Sequence, residues 1–237
     1  MVKTVLTTKP VVGKYIVTAF QTVGYISILA VSYLKEKKVI KEIGYIDPES
    51  TNVITVIEDG ELKYPIRIFE SQKAIFIMAQ VPIARDDMTP ISKEIIRLYS
   101  DIKAKGIIAL DGLSASGNKN QSDVYYTASN FNAELNNVKP LSEGAMFGLN
   151  ASIALQAKED GVPFAVVMAE THVSIPDGLA AAALISSVKD LLGLEVDTNE
   201  LVTEYKETLA KIDRLVKRAR HTGTEEKPGQ PGQEIYG

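Results

Sequence analysis

The 237-residue chain has no cysteine, no tryptophan and only two histidines. Without cysteine there are no disulfides, thiolate nucleophiles, cysteine-type zinc sites or iron–sulfur clusters, and the composition fits a reducing compartment, here expected to be the cytoplasm. Two histidines cannot build a His-rich metal site, so a hydrolytic metal would have to rest on carboxylates. An excess of positive charge is missing too. With 26 Lys+Arg against 30 Asp+Glu the net charge is -4, which gives no reason to expect a nucleic-acid partner. The small basic group Lys217, Arg218, Arg220 and His221 reads as a helix C-terminus complementing its dipole. No Gly-x-x-x-x-Gly-Lys-Ser/Thr loop occurs, so neither ATP-driven action nor a nucleotide cofactor is expected.

What is present is the composition of an ordinary globular protein, 45% hydrophobic and 24% charged. One stretch, Tyr15 to Leu34, carries no charge over a length that could span a bilayer. Gln21, Thr22 and Gly24 cluster at its middle, however, and a strand, a turn and a short buried helix ending in Lys35, Lys37 and Lys38 account for the same residues. No membrane partner is expected, and Met1 to Lys14 lacks the pattern of a signal peptide.

The rest of the chain alternates strand and helix patterns. Val39 to Ile46 reads as a strand closing a βαβ unit with the first strand and helix. Val53–Ile57 and Leu62–Phe69 flank Glu58-Asp59-Gly60-Glu61, a hairpin signal. Ala74–Ala79 is a continuous apolar run, as in a strand covered on both faces. Thr89-Pro90 suggests an N-cap and first helical residue, followed by an apolar stripe from Ile91 to Ile102. Ile107–Leu110 is a second buried strand, Leu113–Ser122 a polar loop and Asp123–Ala128 a strand. A helix over about 147–158 and the strand Phe164–Ala169 follow, and Asp177 caps an alanine-rich helix to Leu192. The pattern predicts an α/β fold, a mainly parallel mixed sheet with helices on both faces.

The last helix, about Thr198 to Arg220, carries Val202, Tyr205, Leu209, Ile212, Val216 and Ala219 at alternating spacings of three and four residues. That seam either packs on the body of its own subunit or meets a second subunit in a homo-oligomer. Residues 1–221 read as one domain, and 222–237 as a flexible Gly/Pro-rich tail. The tail ends in Ile235, Tyr236 and Gly237, an apolar-aromatic hook suited to a pocket on another protein. A linker of this length reaches about 20 Å, so several tails on one oligomer would search neighbouring pockets at an effective concentration of about a millimolar.

Catalytic readings are thinner. Ser114 or Ser116 as nucleophile, His172 as base and Asp177 as orienter could form a strand-end triad, an enzyme of hydrolase or phosphorylase type. There is no Gly-x-Ser-x-Gly elbow. Asp86, Asp87, Glu170, His172 and Asp177 are the only local clusters of metal-ligating type, and none has ligand spacing, so no metal is expected. Asp86 and Asp87 suit the positive end of the helix that follows, and His172 suits a loop residue fixing a strand-to-helix turn.

The ending Ile235-Tyr236-Gly237 resembles the hydrophobic-Tyr-X motif with which proteasome regulators enter pockets between α subunits of the core particle. The body resembles archaeal members of the proteasome assembly chaperone family. The matching stretches are Gly144-Ala-Met-Phe-Gly148-Leu149-Asn150, Gly161-Val162-Pro163, Glu170-Thr171-His172-Val173, Pro176-Asp177 with Ala180 to Ala182, and Val196-Asp197 with Leu201. Gln21-Thr22-Val23-Gly24 departs from the richer glycine loop of many relatives. The resemblance implies a three-layer α/β/α sandwich shaped like nucleoside phosphorylases and assembled as a homo-oligomer such as a tetramer or pentamer. It also implies ATP-independent action on the proteasome α ring, as assembly chaperone or as activator of the core particle. An interaction protein acting through its tail and an enzyme acting at a strand-end pocket are the two readings carried forward.

Overall fold

The computed structural model describes residues 2–21, 23–48, 54–115, 122–171 and 176–222, the side chains of Leu209 and of 212–222 excepted. The chain runs β1 (Lys3–Leu6), β2 (Tyr15–Ala19), a 3-10 turn (Val23–Tyr25), α1 (Ile26–Glu36), β3 (Lys41–Asp47), β4 (Val56–Glu58), β5 (Glu61–Lys63), β6 (Ile66–Glu70) and β7 (Ala74–Ala79). Then come α2 (Arg85–Asp101), β8 (Ile107–Ser114), β9 (Val124–Ser129), β10 (Val138–Pro140), α3 (Gly148–Glu159), β11 (Phe164–Thr171), α4 (Gly178–Leu192) and α5 (Asn199–Thr222).

Nine strands form one mixed sheet in the order β1-β3-β6-β7-β2-β8-β11-β9-β10. Its centre, β7-β2-β8-β11, is parallel throughout, and so is the β9–β10 pair at one margin. The four other pairings are antiparallel. The central strands read as unbroken apolar runs because both their faces are covered. Along β7, Ala74, Phe76 and Met78 join a core with α1 and α4, while Ile75, Ile77 and Ala79 join a second core with α2 and α3. The result is a three-layer α/β/α sandwich with one apolar core on each side of the sheet.

Several local expectations are revised. β3 does not close a βαβ unit with β2: it pairs antiparallel with β1 and β6, and the parallel neighbours of β2 are β7 and β8. Local pattern shows that a strand exists but not where in the sheet it inserts. The helix expected to start at Thr89-Pro90 starts at Arg85, leaving Pro90 inside it. Pro90 is exposed, so the Asp86 carbonyl that loses its helical donor is left to solvent. Asp86 and Asp87 fall in the first turn, where carboxylates offset the helix dipole. The stretch Leu62–Phe69 is two strands parted at Tyr64-Pro65, and β8 runs through Leu113 to Ser114, into the segment read as a polar loop. Short β1 and β10 had no sequence signal of their own.

The hairpin β4–β5 stands apart from the main sheet. Asp59 and Gly60 both adopt positive φ, 52° and 78°, as its two-residue turn requires. Arg67 on β6, 1% exposed, ties the hairpin to the body. Its guanidinium donates to Glu58 at 2.7 and 3.3 Å and to Gln80 at 2.8 Å, and lies over the Phe69 ring. Lys35 reaches Glu58 at 2.5 Å from α1. The Arg67 hydrogen bonds, with help from Lys35 and against a desolvation cost, hold the Glu58 carboxyl down to about 2. Tyr64 stacks on Tyr45 of β3, with ring centroids 3.5 Å apart.

Candidate functional site: the helix base and the strand-end cleft

Two neighbouring features lie at the carboxyl ends of the central strands, where open α/β sheets place their ligands. The first is the base of α5, the helix that leads to the tail. Asp177 is the N-cap of α4: its carboxylate accepts the amides of Leu179 and Ala180, each at 3.1 Å. The same carboxylate accepts the Thr171 hydroxyl at 3.0 Å and lies beside the Tyr205 phenol. Burial first, and the adjacent Asp177 charge second, push Tyr205 up to about 12. Next to this cap α4 and α5 come into backbone contact. A Cβ on Gly178 would lie 2.7 Å from the Cβ of Tyr205 and 3.0 Å from the Leu201 carbonyl oxygen, so only glycine permits this approach. Leu201 is buried in the same core. The Tyr33 hydroxyl donates to the Asp197 carbonyl at 2.7 Å, and Lys37 pairs with Glu200 at 2.6 Å.

These contacts locate part of the predicted seam. Val202 packs against the core beneath α1 and α4, and Tyr205 is buried on the Asp177–Gly178 turn. The side chains of Leu209, Ile212 and Val216 lie outside the described residues, as do Ile235, Tyr236 and Gly237. Described contacts of α5 with the body run from Glu200 to Thr208, the latter lining a cavity of about 400 Å³ with Leu29 and Pro176.

The second feature is a cleft of about 360 Å³ bounded by Gln21, Val23, Asp111, Ser114, Met146 and Phe147. Its floor is a buried polar chain that sequence reasoning missed. The Thr18 hydroxyl donates to Asn150 Oδ1 at 2.9 Å, Asn150 Nδ2 donates to Asp111 Oδ2 at 3.1 Å, and the Gly112 amide donates to Asp111 Oδ1 at 2.7 Å. Thr18 and Asp111 sit inside apolar strand runs, and only their shared position beside the start of α3 reveals the link. The loop before α1 closes down on β8: a Cβ on Gly112 would fall 2.2 Å from the Val23 carbonyl oxygen. Phe147, the residue before α3, is 80% exposed at the cleft mouth.

Of the predicted triad, the described residues include Ser114 and Asp177 alone. The Asp177 carboxylate is taken up by the α4 cap and the Thr171 hydroxyl. Ser114 ends β8, while Ser116 and His172 lie outside the described residues. No group of three or more metal-ligating side chains occurs among the described residues, and no described helix is long and apolar enough to cross a membrane.

Fold and site together define a three-layer α/β/α protein whose last helix is docked at its base through a capped turn. Within that class the chain belongs to the PAC2 family, whose sequence model matches residues 16–216. An uncharacterized protein of Methanocaldococcus jannaschii is 20% identical over 207 residues, covering 86% of this chain and 85% of its own. Among solved structures, Pyrococcus furiosus PbaA, described as an archaeal homolog of proteasome-assembly chaperone, superposes with a TM-score of 0.79 at 23% identity, covering 93% of this chain and 95% of its own. Pyrococcus furiosus PbaB, described as an archaeal proteasome activator, gives 0.75 at 15% identity, covering 90% and 98%. The shared fold is therefore that of archaeal proteasome-assembly chaperone homologues.

Proposed function

We propose that this protein is an ATP-independent proteasome assembly factor that binds proteasome α subunits, or the α ring of the core particle, through its C-terminal Ile235-Tyr236-Gly237, and that it can also activate the finished particle. The observation that carries the reading is membership of the PAC2 family over residues 16–216, joined to a sequence that ends in a hydrophobic-Tyr-X motif on a polar linker. The docking of α5 supports it: the helix leading to the linker is fixed at its base by Tyr205, Leu201 and the Lys37–Glu200 pair. A homo-oligomer, with Leu209, Ile212 and Val216 extending the apolar stripe beyond Tyr205, would present several tails at once and convert weak single contacts into useful avidity. The protein acts by binding and not by catalysis, a reading that agrees with the commitment of Asp177 to helix capping.

The test compares full-length protein, a form lacking residues 235–237, and Tyr236→Ala for binding to immobilised α subunits by surface plasmon resonance. The expected result is that both altered proteins keep their fold and oligomeric mass and lose binding. Unchanged binding by the truncated form refutes the reading.

A further inference from the structure

The β4–β5 hairpin spends a buried arginine and a ring stack on being held in place, yet the face it turns outward is apolar. Ile57 and Leu62 are directly opposite in the hairpin register and are 72% and 75% exposed. A two-stranded ribbon is marginal on its own, and one displaying bare aliphatic side chains beside free edges is a template for strand pairing. Among the described residues, no strand pairs with the outer edge of β5. β5 has no proline, and its register with β4 runs unbroken from Val56↔Lys63 to Glu58↔Glu61.

The turn decides which backbone groups are free. With Asp59-Gly60 as a two-residue loop, Glu58 and Glu61 are the closing hydrogen-bonded pair and Ile57 and Leu62 the next, non-hydrogen-bonded pair. The N–H and C=O of Leu62 therefore point away from β4. The sequence of β5 is complementary to itself about that residue. Glu61 and Lys63 pair with each other within the strand. Placed antiparallel on a second copy with Leu62 opposite Leu62, Glu61 of each strand falls opposite Lys63 of the other and the two can exchange partners, an arrangement that favours pairing, whereas like charges opposite one another disfavour it. The β4 edge has no such property: Val56 would meet Glu58, whose carboxylate is already committed to Arg67 and Lys35.

We propose that β5 pairs edge to edge with β5 of a second copy of this chain about a twofold axis, forming a four-stranded β4-β5-β5-β4 ribbon. The two Leu62 residues exchange backbone hydrogen bonds, and Glu61–Lys63 pairs form across the axis. Ile57 and Leu62 of both copies then line up as one apolar stripe across the ribbon. Such an isologous contact closes on itself and does not propagate, and it is separate from the tail and from α5.

The absence of native cysteine makes the test direct. In a hydrogen-bonded antiparallel pair the two Leu62 Cα atoms would be about 5.5 Å apart, within disulfide range, whereas two Ile57 residues three strand spacings apart would be about 14 Å apart and beyond it. Full-length Leu62→Cys and Ile57→Cys proteins, both exposed at the substituted position, are oxidised with oxidised glutathione and followed on non-reducing gels. Leu62→Cys is expected to form covalent dimers about tenfold faster or more, a gap corresponding to about 1.4 kcal/mol. Adding Glu61→Lys to Leu62→Cys places lysine opposite lysine and should slow the cross-link, while adding Lys63→Glu as well restores complementarity and should restore the rate. Equal rates for the two single-cysteine proteins, or failure of the double charge exchange to rescue, overturns the proposal.

Discussion

Replacing Gly178 by alanine tests how α5 is held. The φ of Gly178 is not in the left-handed region, so the change acts through space and not through backbone strain. The new Cβ would sit 2.7 Å from the Tyr205 Cβ and 3.0 Å from the Leu201 carbonyl oxygen. Carbon atoms pack best at about 3.5–4.0 Å, so α5 must retreat by about 1 Å. Both near atoms belong to the backbone or its first side-chain carbon and cannot swing aside. Overpacking of this kind costs about 1–3 kcal/mol, only partly offset by a helix-propensity gain of under about 1 kcal/mol. For a chain of this size each kcal/mol lowers Tm by about 2–4 °C. A melt followed by circular dichroism should therefore fall by several degrees, and amide exchange over residues 199–208 should accelerate more than in β7 or β8. A Tm within about 1 °C of the parent together with unchanged exchange in α5 would refute the idea that close helix approach at Gly178 seats the last helix.

Three further outcomes concern the Asp177 cap, the Glu58 ion pair and the Tyr205 phenol. Asp177→Ala removes the α4 cap and the partner of Thr171, and should cost about 1–2 kcal/mol or more, measured by urea unfolding, with Asp177→Asn recovering part of the loss. Because the folded-state pKa of Glu58 lies near 2, below its ordinary 4.5, its contribution is full above about pH 4.5 and is lost as pH falls towards 2. The stability gap between parent and Glu58→Gln should therefore narrow over that window, and a gap independent of pH would disprove the link. Tyr205 runs the other way. With its pKa raised from 10.0 to about 12, its contribution is full below pH 10 and is lost as pH rises towards 12. An alkaline titration at 295 nm should lose one phenol from its late-ionising part in Tyr205→Phe.

Much of the architecture was legible in the residues. The unbroken apolar runs at Ala74–Ala79, Ile107–Leu110 and Phe164–Ala169 announced strands covered on both faces, and Asp177 before an alanine-rich segment announced a capped helix, because both signals are local. Strand order was not legible. Val39–Ile46 looked like the return strand of a βαβ unit, yet β3 pairs at the antiparallel margin, a choice made by contacts with β1 and β6 far off in sequence. The helix start at Arg85 was hidden for a related reason: Thr89-Pro90 is a good local signal, but the preceding turn is helical in the folded chain, where an exposed Pro90 is tolerated.

By itself, the sequence determined the chemistry this protein can draw on. Without cysteine, and with two histidines, it has no thiolate and little imidazole to offer, and the order Ile235-Tyr236-Gly237 is written in the covalent chain alone. Tertiary structure alone decided how those residues are used. It brought Thr171 and Tyr205, separate in the sequence pattern, to the Asp177 cap that the sequence already marked. It also buried Arg67 beneath a hairpin that displays Ile57 and Leu62. The reason is that burial and edge exposure depend on which distant segments share a neighbourhood, and that information exists only once the chain has folded.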